Sequence, residues 1–180
     1  WVTNRRTTPT EVRNIIAFTD LGEGESRAWR STSANRNGDI IFPGQSIDPL
    51  PSNRVNRLDP NDLLTRFPNI RDAATASSSL IASGYDPNVE YSELTNARKL
   101  QSNEYTFHPQ LGYLTLNTSL NQDEVLGVAY QYTANGRTYQ VGEFSNDGIM
   151  APKSLVLKLL KHTLLDVKSP LWDLMMKNVY

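Results

Sequence analysis

The side chains able to do chemistry are few in this sequence, and they stand apart from one another. The chain has no Cys and only two His, His108 and His162. Thiolate nucleophiles, disulfides and Cys-ligated zinc are therefore excluded. The two His do not have the spacing of a zinc-binding pair on one helix. We interpret His108 as a solvated or hydrogen-bonded strand residue, on the face opposite Tyr105 and Phe107, and His162 as a surface residue.

One acidic turn is a candidate for calcium. Asp20, Glu23 and Glu25 lie within TDLGEGE, and Ca²⁺ prefers carboxylate and carbonyl oxygens. The spacing is not that of an EF-hand, so a solvated acidic turn explains the same residues. The glycines of this turn form a G-x-G fragment that lacks the third Gly and following helix of a nucleotide loop. With no G-x-S-x-G elbow either, we assign no catalytic residue, cofactor-binding residue, cofactor or metal ligand, and expect no enzyme.

The charge balance gives no reason to expect a polyanionic partner. The 180 residues carry 18 basic and 19 acidic side chains, for a net charge of −1. Arginines gather between Arg5 and Arg57, and a solvated surface explains them better than nucleic acid or lipopolysaccharide binding. Trp1, Trp29 and Trp172 are widely separated, which favours packing over a sugar-binding platform. No stretch approaches the roughly 18 apolar residues of a membrane helix.

A hairpin over Glu124–Phe144 is the strongest structural signal. Its two strand-like runs meet at Asn135-Gly136, the pair best suited to a type I′ turn. The run Glu124–Thr133 has a bulky face and a small face, which predicts a central strand packed on both sides. Other predicted strands are Trp1–Asn4, Asn14–Leu21, Asp39–Phe42, Glu104–His108 and Tyr113–Leu116.

Helical patterns are fewer and shorter. Ile70–Ser83 is Ala-rich, with Gly84 as its predicted C-cap. Ser154–Lys161 fits helical and strand spacing equally, and periodicity does not decide between them. Gly22–Pro60 is rich in turn residues and predicts a long surface loop. Further short helices are predicted at Asn61–Phe67, Tyr91–Leu100 and Leu171–Tyr180.

These patterns predict an α+β fold. We expect residues 1–100 to be loop-rich, with short strands and helices, and residues 101–150 to form an antiparallel, β-sandwich-like module. Residues 151–180 would be an apolar tail that leads into the next segment of a longer protein. We expect the chain to be a fragment, since it begins with Trp1 and shows no leader.

Five segments together resemble the SprA/Sov family, the giant outer-membrane translocon proteins of the type IX secretion system of Bacteroidetes, which are also tied to gliding motility. The last two are the most specific, and Gly24–Val89 matches weakly. The segments are WVTNRR (1–6), RNIIAFTDLGE (13–23), NARKLQSNEYTFHPQLGYLTLN (96–117), DEVLGVAYQYTANGRTYQVGEFS (123–145) and PLWDLMMKNVY (170–180).

The resemblance implies a non-catalytic, soluble domain of a very large β-barrel channel, at the outer membrane or cell surface. The partners it implies are the rest of the parent barrel, accessory translocon subunits and secreted protein cargo, with no nucleic acid. Contact with the outer membrane would come through the parent chain. The alternative is a carbohydrate- or ligand-binding β-sandwich module of a cell-surface protein.

Overall fold

The computed structural model describes residues 1–5, 11–19, 21, 67–87, 89–134, 136–164, 166–167 and 169–176. These residues are predominantly β, which confirms the strand-rich part of the expected fold. The strands are β1 (Val12–Phe18), β2 (Tyr91–Arg98), β3 (Tyr105–His108), β4 (Tyr113–Leu116), β5 (Leu126–Val128), β6 (Tyr130–Ala134), β7 (Arg137–Val141) and β8 (Leu155–Lys161). Two short helices, α1 (Ala76–Ala82) and α2 (Pro170–Asp173), accompany them. The predicted loop Gly22–Pro60, the strand Asp39–Phe42 and nearly all of the helix Asn61–Phe67 lie outside the described residues.

The main sheet has the order β2-β1-β8-β5. β1 pairs antiparallel with β2 and parallel with β8, and β8 pairs antiparallel with β5. The main sheet is therefore mixed, whereas the strands within residues 101–150 pair only in antiparallel fashion, as predicted for that range, although they belong to three separate sheets. The strands of the main sheet come from all three predicted ranges, and the boundaries at residues 100 and 150 stay a prediction.

The sheet curls until its outer strands meet at the first residues of the chain. Val2 forms antiparallel bridges with Arg98 at the end of β2 and with Leu126 of β5. The Val2 amide donates to the Arg98 carbonyl at 2.9 Å, and the Gly127 amide donates to the Trp1 carbonyl at 2.9 Å. The strand predicted at Trp1–Asn4 is thus reduced to isolated bridges of Val2, which close the sheet.

Both faces of the curled sheet are covered by apolar side chains. Alternate residues of β1 point to opposite faces, so Ile15 and Ala17 pack on one side and Ile16 and Phe18 on the other. The first side also holds Leu171 of α2, and the second holds Leu80 of α1. Such two-sided burial explains why the buried stretches Ile15–Phe18 of β1 and Leu155–Leu157 of β8 are continuously apolar rather than alternating.

The predicted strand Glu124–Thr133 is wrong as one element, because the chain changes sheets at Ala129. β5 pairs with β8 at the outer side of the main sheet, whereas β6 pairs with β7 in a separate two-stranded sheet. The break lets Tyr130 and Tyr132 pack against the cluster on the α1 side. β1 and β8 are instead the strands flanked on both edges and buried on both faces.

The β6–β7 hairpin itself is confirmed. The terminal backbone pair is Ala134 with Arg137, which leaves a two-residue connection. Gly136 has φ = +74°, the positive value that a type I′ turn requires at this position. Asn135 lies outside the described residues.

Long-range strand pairing determines the secondary structure of two segments. The local sequence predicts one of them wrongly and leaves the other open. The helix predicted over Tyr91–Leu100 is wrong, since Tyr91–Arg98 is β2 and pairs residue by residue with β1. Ser154–Lys161 contains a strand, β8, because β1 and β5 lie on either side of Leu155–Lys161.

Helix α1 confirms the predicted helix in shortened form. Residues 68–75 form turns, and the regular helix begins only at Ala76. Gly84 is confirmed at its C-terminal end, with φ = +86°. The Gly84 amide bonds the Ile81 carbonyl at 2.9 Å, and the Tyr85 amide bonds the Leu80 carbonyl at 3.0 Å, which is the Schellman pattern.

Candidate functional site

A buried Arg–Glu pair links three elements of the fold. Glu143 follows β7 and is 2% exposed. Arg71 precedes α1, and its guanidinium donates two hydrogen bonds to the Glu143 carboxylate, of 2.6 and 3.0 Å. The Val156 amide of β8 donates to the same carboxylate at 2.8 Å. This carboxylate is bonded on both oxygens, so we interpret it as a clamp rather than as a general base.

A second Arg–Glu pair anchors the β3–β4 hairpin. Arg98 ends β2, and its Nη1 donates to both carboxylate oxygens of Glu104 at 3.0 and 2.9 Å. The Gln101 amide donates to Glu104 Oε2 at 2.8 Å. Both side chains are buried, so the pair ties the base of the hairpin to the main sheet and leaves no carboxylate oxygen for a ligand.

His162 is buried, and its prediction as a surface residue is wrong. The Leu164 amide donates to its Nδ1 at 3.0 Å. A backbone N–H can only donate, so Nδ1 is unprotonated and the ring proton sits on Nε2. The pKa of His162 is lowered mainly by burial and further by the Lys161 charge, while a hydrogen bond to the Pro87 backbone and the Asp86 charge oppose the shift.

His108 lies on β3 and stacks on Tyr113 across the hairpin, with ring centroids 4.3 Å apart. Strand alternation puts it on the face opposite Tyr105 and Phe107, as expected. The two His therefore lie in separate environments, the one stacked on a tyrosine and the other bonded to a loop amide.

No metal site emerges from the described part of the chain, where no three His, Asp or Glu side chains form a group that could hold a metal ion. Asp20, Glu23 and Glu25 lie outside the described residues, so the calcium candidate stays a prediction. An open pocket of about 240 Å³ lies beside Arg71 and the loop 148–153. It is lined by two charged residues, Arg71 and Lys153, of which Arg71 is already bonded to Glu143.

The β3–β4 hairpin exposes large apolar side chains. Tyr105 is 39%, Phe107 51% and Leu111 75% exposed. Cross-strand pairing puts Leu116 opposite Tyr105 and Leu114 opposite Phe107, so one face of the hairpin is entirely apolar or aromatic. Sequence reasoning finds the strands but misses this surface. The available signal is charge: residues 105–122 contain no Asp, Glu, Lys or Arg.

The C-terminal arm, residues 163–176, is a second apolar region. Helix α2 begins at Pro170 with Ser169 as its cap, and Leu171 is buried against the main sheet. The predicted apolar side of a helix starting at Leu171 is realised only in part, because the helix ends at Asp173. Among the described residues of the arm, four large side chains are exposed: Leu164, Val167, Leu174 and Met176.

Of the three tryptophans, two are in the described residues and both take part in packing. Trp1 is half-buried against the cluster on the α2 side, with the Lys99 ammonium 5.9 Å from its ring centroid. Trp172 of α2 is half-buried. Trp29 lies outside the described residues.

No protein-family model matches this chain, and no curated protein matches it. Among the described residues, no helix is long and apolar enough to cross a membrane.

Proposed function

We propose that this chain is a non-catalytic domain of a giant outer-membrane protein-export channel, of the kind that serves type IX secretion and gliding motility. The proposal starts from the resemblance of five sequence segments to the SprA/Sov family. It includes the outer membrane or cell surface as the location, with the domain itself soluble and the membrane contact made by the parent chain.

One observation carries the proposal: the segments that bear the resemblance are neighbours in the fold. The first closes the curled sheet at Val2, and the second contains most of β1. The third runs from the end of β2 through β4, and the fourth contains β5, β6, β7 and Glu143. The fifth contributes Leu171 to the core. The five segments therefore belong to one packed unit, as parts of a single domain would.

The chemistry of the buried charges supports a structural role. Glu143 and Glu104 are each held by an arginine and a backbone amide. Groups bonded in this way stabilise the junctions between elements, whereas a catalytic acid or base needs a free position for substrate. The exposed apolar side chains lie elsewhere, on the β3–β4 hairpin and the C-terminal arm.

Those exposed surfaces are the proposed contacts with other proteins. In the parent they would face the rest of the barrel, accessory translocon subunits and secreted cargo in transit. The finer description of the fold, an α+β domain with a β-sandwich-like module, belongs to the same proposal. It is supported by the two apolar layers on either face of the main sheet.

Fractionation of the bacterium that encodes this chain tests the proposal. An epitope tag inserted at the exposed turn between Leu111 and Gly112 reports the parent polypeptide without entering the core. We expect the tag in the outer-membrane fraction, on a polypeptide far longer than 180 residues. A tagged polypeptide in the soluble cytoplasmic fraction would contradict the proposal.

A second experiment tests export itself. Glu143→Ala in the encoded parent should lower the amount of secreted protein in the medium, because the domain would lose its buried clamp. Asp123→Ala, which removes an exposed partner of Arg5, is the matched control and should leave secretion unchanged. Normal secretion by a Glu143→Ala strain whose domain is shown to be unfolded would refute the export role.

The alternative function, a cell-surface carbohydrate- or ligand-binding module, rests on the two exposed aromatic rings of Tyr105 and Phe107. Neighbouring aromatic side chains on a strand can stack on sugar rings. A glycan array probed with the isolated chain distinguishes the two functions. Saturable binding that is lost in Phe107→Ala would favour the carbohydrate module, and no binding is expected for the export domain.

A further inference from the structure

Among the described residues, the backbone groups on the outer edge of β3 have no partner strand. Within the part of the chain that the structure describes, β3 pairs with β4 alone. The Asn117 amide donates to the Glu104 carbonyl at 2.9 Å, and the register continues as Thr106 with Thr115. In an antiparallel pair, alternate residues point their N–H and C=O groups away from the partner. In β3 these are Tyr105 and Phe107.

The edge is short and sharply bounded. The next outward position after Phe107 is Pro109, which has no N–H to donate. On the other side, the carbonyl of Asn103 already accepts a bond from the Asn117 side chain at 2.8 Å. A strand added at this edge can therefore bond both the N–H and the C=O of two residues, Tyr105 and Phe107. Any shift in register would lose the bonds to one of these residues.

Apart from its shortness, this edge has no feature that protects it against pairing. Natural proteins guard exposed edges with charged side chains, prolines within the strand or bulges. β3 and β4 contain none of these, and the surrounding residues 105–122 carry no Asp, Glu, Lys or Arg. An average stretch of the same length would carry between three and four charges, given 37 in 180 residues.

We propose that the outer edge of β3 pairs with β3 of a second copy of this chain, antiparallel and about a two-fold axis at Thr106. Tyr105 of each copy then lies opposite Phe107 of the other, which gives two equivalent cross-strand pairs. The four outward backbone positions form two reciprocal hydrogen-bonded pairs. The result is a four-stranded sheet, β4-β3-β3-β4, with one continuous apolar face.

The residues of β3 are complementary to themselves in this arrangement. Both cross-strand pairs on the apolar face are aromatic, a combination that stabilises antiparallel sheets. The residue on the axis is Thr106, which is small, uncharged and exposed, so the two copies bring no like charges together. The inference depends on the geometry of the hairpin alone and does not rest on the proposed export function.

Charge substitution on the axis is the test, because Thr106 of each copy lies directly opposite Thr106 of the other. The isolated 180-residue chain is studied by sedimentation velocity over a wide range of concentration. We expect a monomer–dimer equilibrium for the wild-type chain. Thr106→Lys and Thr106→Glu should each remain monomeric, because each brings two like charges together, and an equimolar mixture of the two variants should form a heterodimer.

Two controls separate this edge from other modes of association. Thr115→Lys puts the same charge on β4, opposite Thr106 within the hairpin but away from the axis, and should dimerise as the wild type does. Phe107→Pro removes an outward N–H without touching the β3–β4 bonds and should weaken the dimer about tenfold or more. Leu114→Pro does the same at the outer edge of β4 and should leave the dimer intact.

Several results would overturn the inference. A wild-type chain that stays monomeric at the highest concentration would do so, as would a mixture of Thr106→Lys and Thr106→Glu that does not associate. Dimers that persist in Phe107→Pro, with the hairpin shown by NMR to be folded, would place the contact elsewhere. The exposed C-terminal arm would then be the alternative surface.

Discussion

The curled sheet and the β3–β4 hairpin manage burial and charge in opposite ways. The sheet buries both faces and keeps Glu143 and Arg71 inside as a bonded pair. The hairpin carries no charged side chain on its strands and leaves Phe107 and Leu111 in solvent. Buried charges are costly unless paired, while uncharged exposed strands invite a partner. Within the described residues, the strands of the sheet are thus paired and covered, whereas the hairpin presents an uncharged and exposed surface.

The largest expected effect is on the buried clamp of the sheet. Glu143→Ala leaves the Arg71 guanidinium without its carboxylate and the Val156 amide without its acceptor. We expect the free energy of unfolding to fall by about 3–5 kcal/mol, measured by urea denaturation. Asp123→Ala breaks an exposed pair with Arg5 and should cost less than about 1 kcal/mol. Equal costs would mean that burial does not distinguish the two pairs.

Truncation of a core side chain comes next. Leu157 lies in the middle of β8 and is fully buried, so Leu157→Ala should cost about 2–5 kcal/mol through the cavity that it leaves. Leu111 is the matched residue on the hairpin, and Leu111→Ala should change stability by no more than about 0.5 kcal/mol. A large loss at Leu111 would show that the hairpin is packed against something in the isolated chain.

The β6–β7 turn should show an intermediate effect. Gly136→Val forces a β-branched side chain into positive φ, at a cost of about 1–3 kcal/mol. A Cβ at Gly136 would meet no atom within 4 Å, so the cost is conformational rather than steric crowding. Gly136→Asn is the control, because Asn tolerates positive φ, and its thermal midpoint should lie near that of the wild type. Equal midpoints for Val and Asn would contradict the strained turn.

The smallest effect is on pH dependence. Burial lowers the pKa of His162 below its ordinary value of 6.5, so the unfolded chain takes up a proton at a higher pH than the folded chain does. The stability that His162 contributes is present above pH 6.5 and is lost as the pH falls through the lowered pKa. Thermal midpoints measured from pH 7.5 downward should show this loss.

His162→Asn is the matched variant, since its side-chain oxygen can still accept the Leu164 amide but does not titrate. Its stability should depend less on pH than that of the wild type. All other side chains are common to the two proteins, so the difference between their pH profiles reports on His162. Parallel pH profiles for the two proteins would mean that His162 has the same pKa in the folded and unfolded states.

The elements that sequence predicts correctly depend on local signals. β3, β4, the Asn-Gly hairpin and the Gly84 cap each follow from alternation, turn residues or positive φ within a few positions. The helix predicted at Tyr91–Leu100 is wrong because the conformation of this segment is decided by pairing with β1, far away in sequence. The sequence leaves β8 undecided for the same reason. Its apolar spacing fits a helix as well as a strand, and hydrogen bonding to β1 and β5 determines that it is a strand.

The features of the candidate site also divide into those that local sequence signals and those that depend on residues distant in sequence. A search for motifs uses residue types and local spacing alone. The burial of His162 cannot be predicted in this way, because it involves contact with the backbone of Pro87, which is distant in sequence. The Arg71–Glu143 clamp joins residues that are 72 positions apart, so no local pattern reveals it. The apolar hairpin surface is signalled in the sequence by the missing charges of residues 105–122.

Amide hydrogen exchange tests the contrast between the two regions most directly. At a concentration low enough to keep the chain monomeric, the Leu157 amide of β8 should exchange only through global unfolding, and the Thr106 amide of β3 through local opening of the hairpin. Glu143→Ala should then speed exchange at Leu157 and leave Thr106 unchanged. If Leu157 and Thr106 exchange with the same free energy, and Glu143→Ala shifts both equally, the hairpin and the sheet form one cooperative unit, which contradicts the contrast between them.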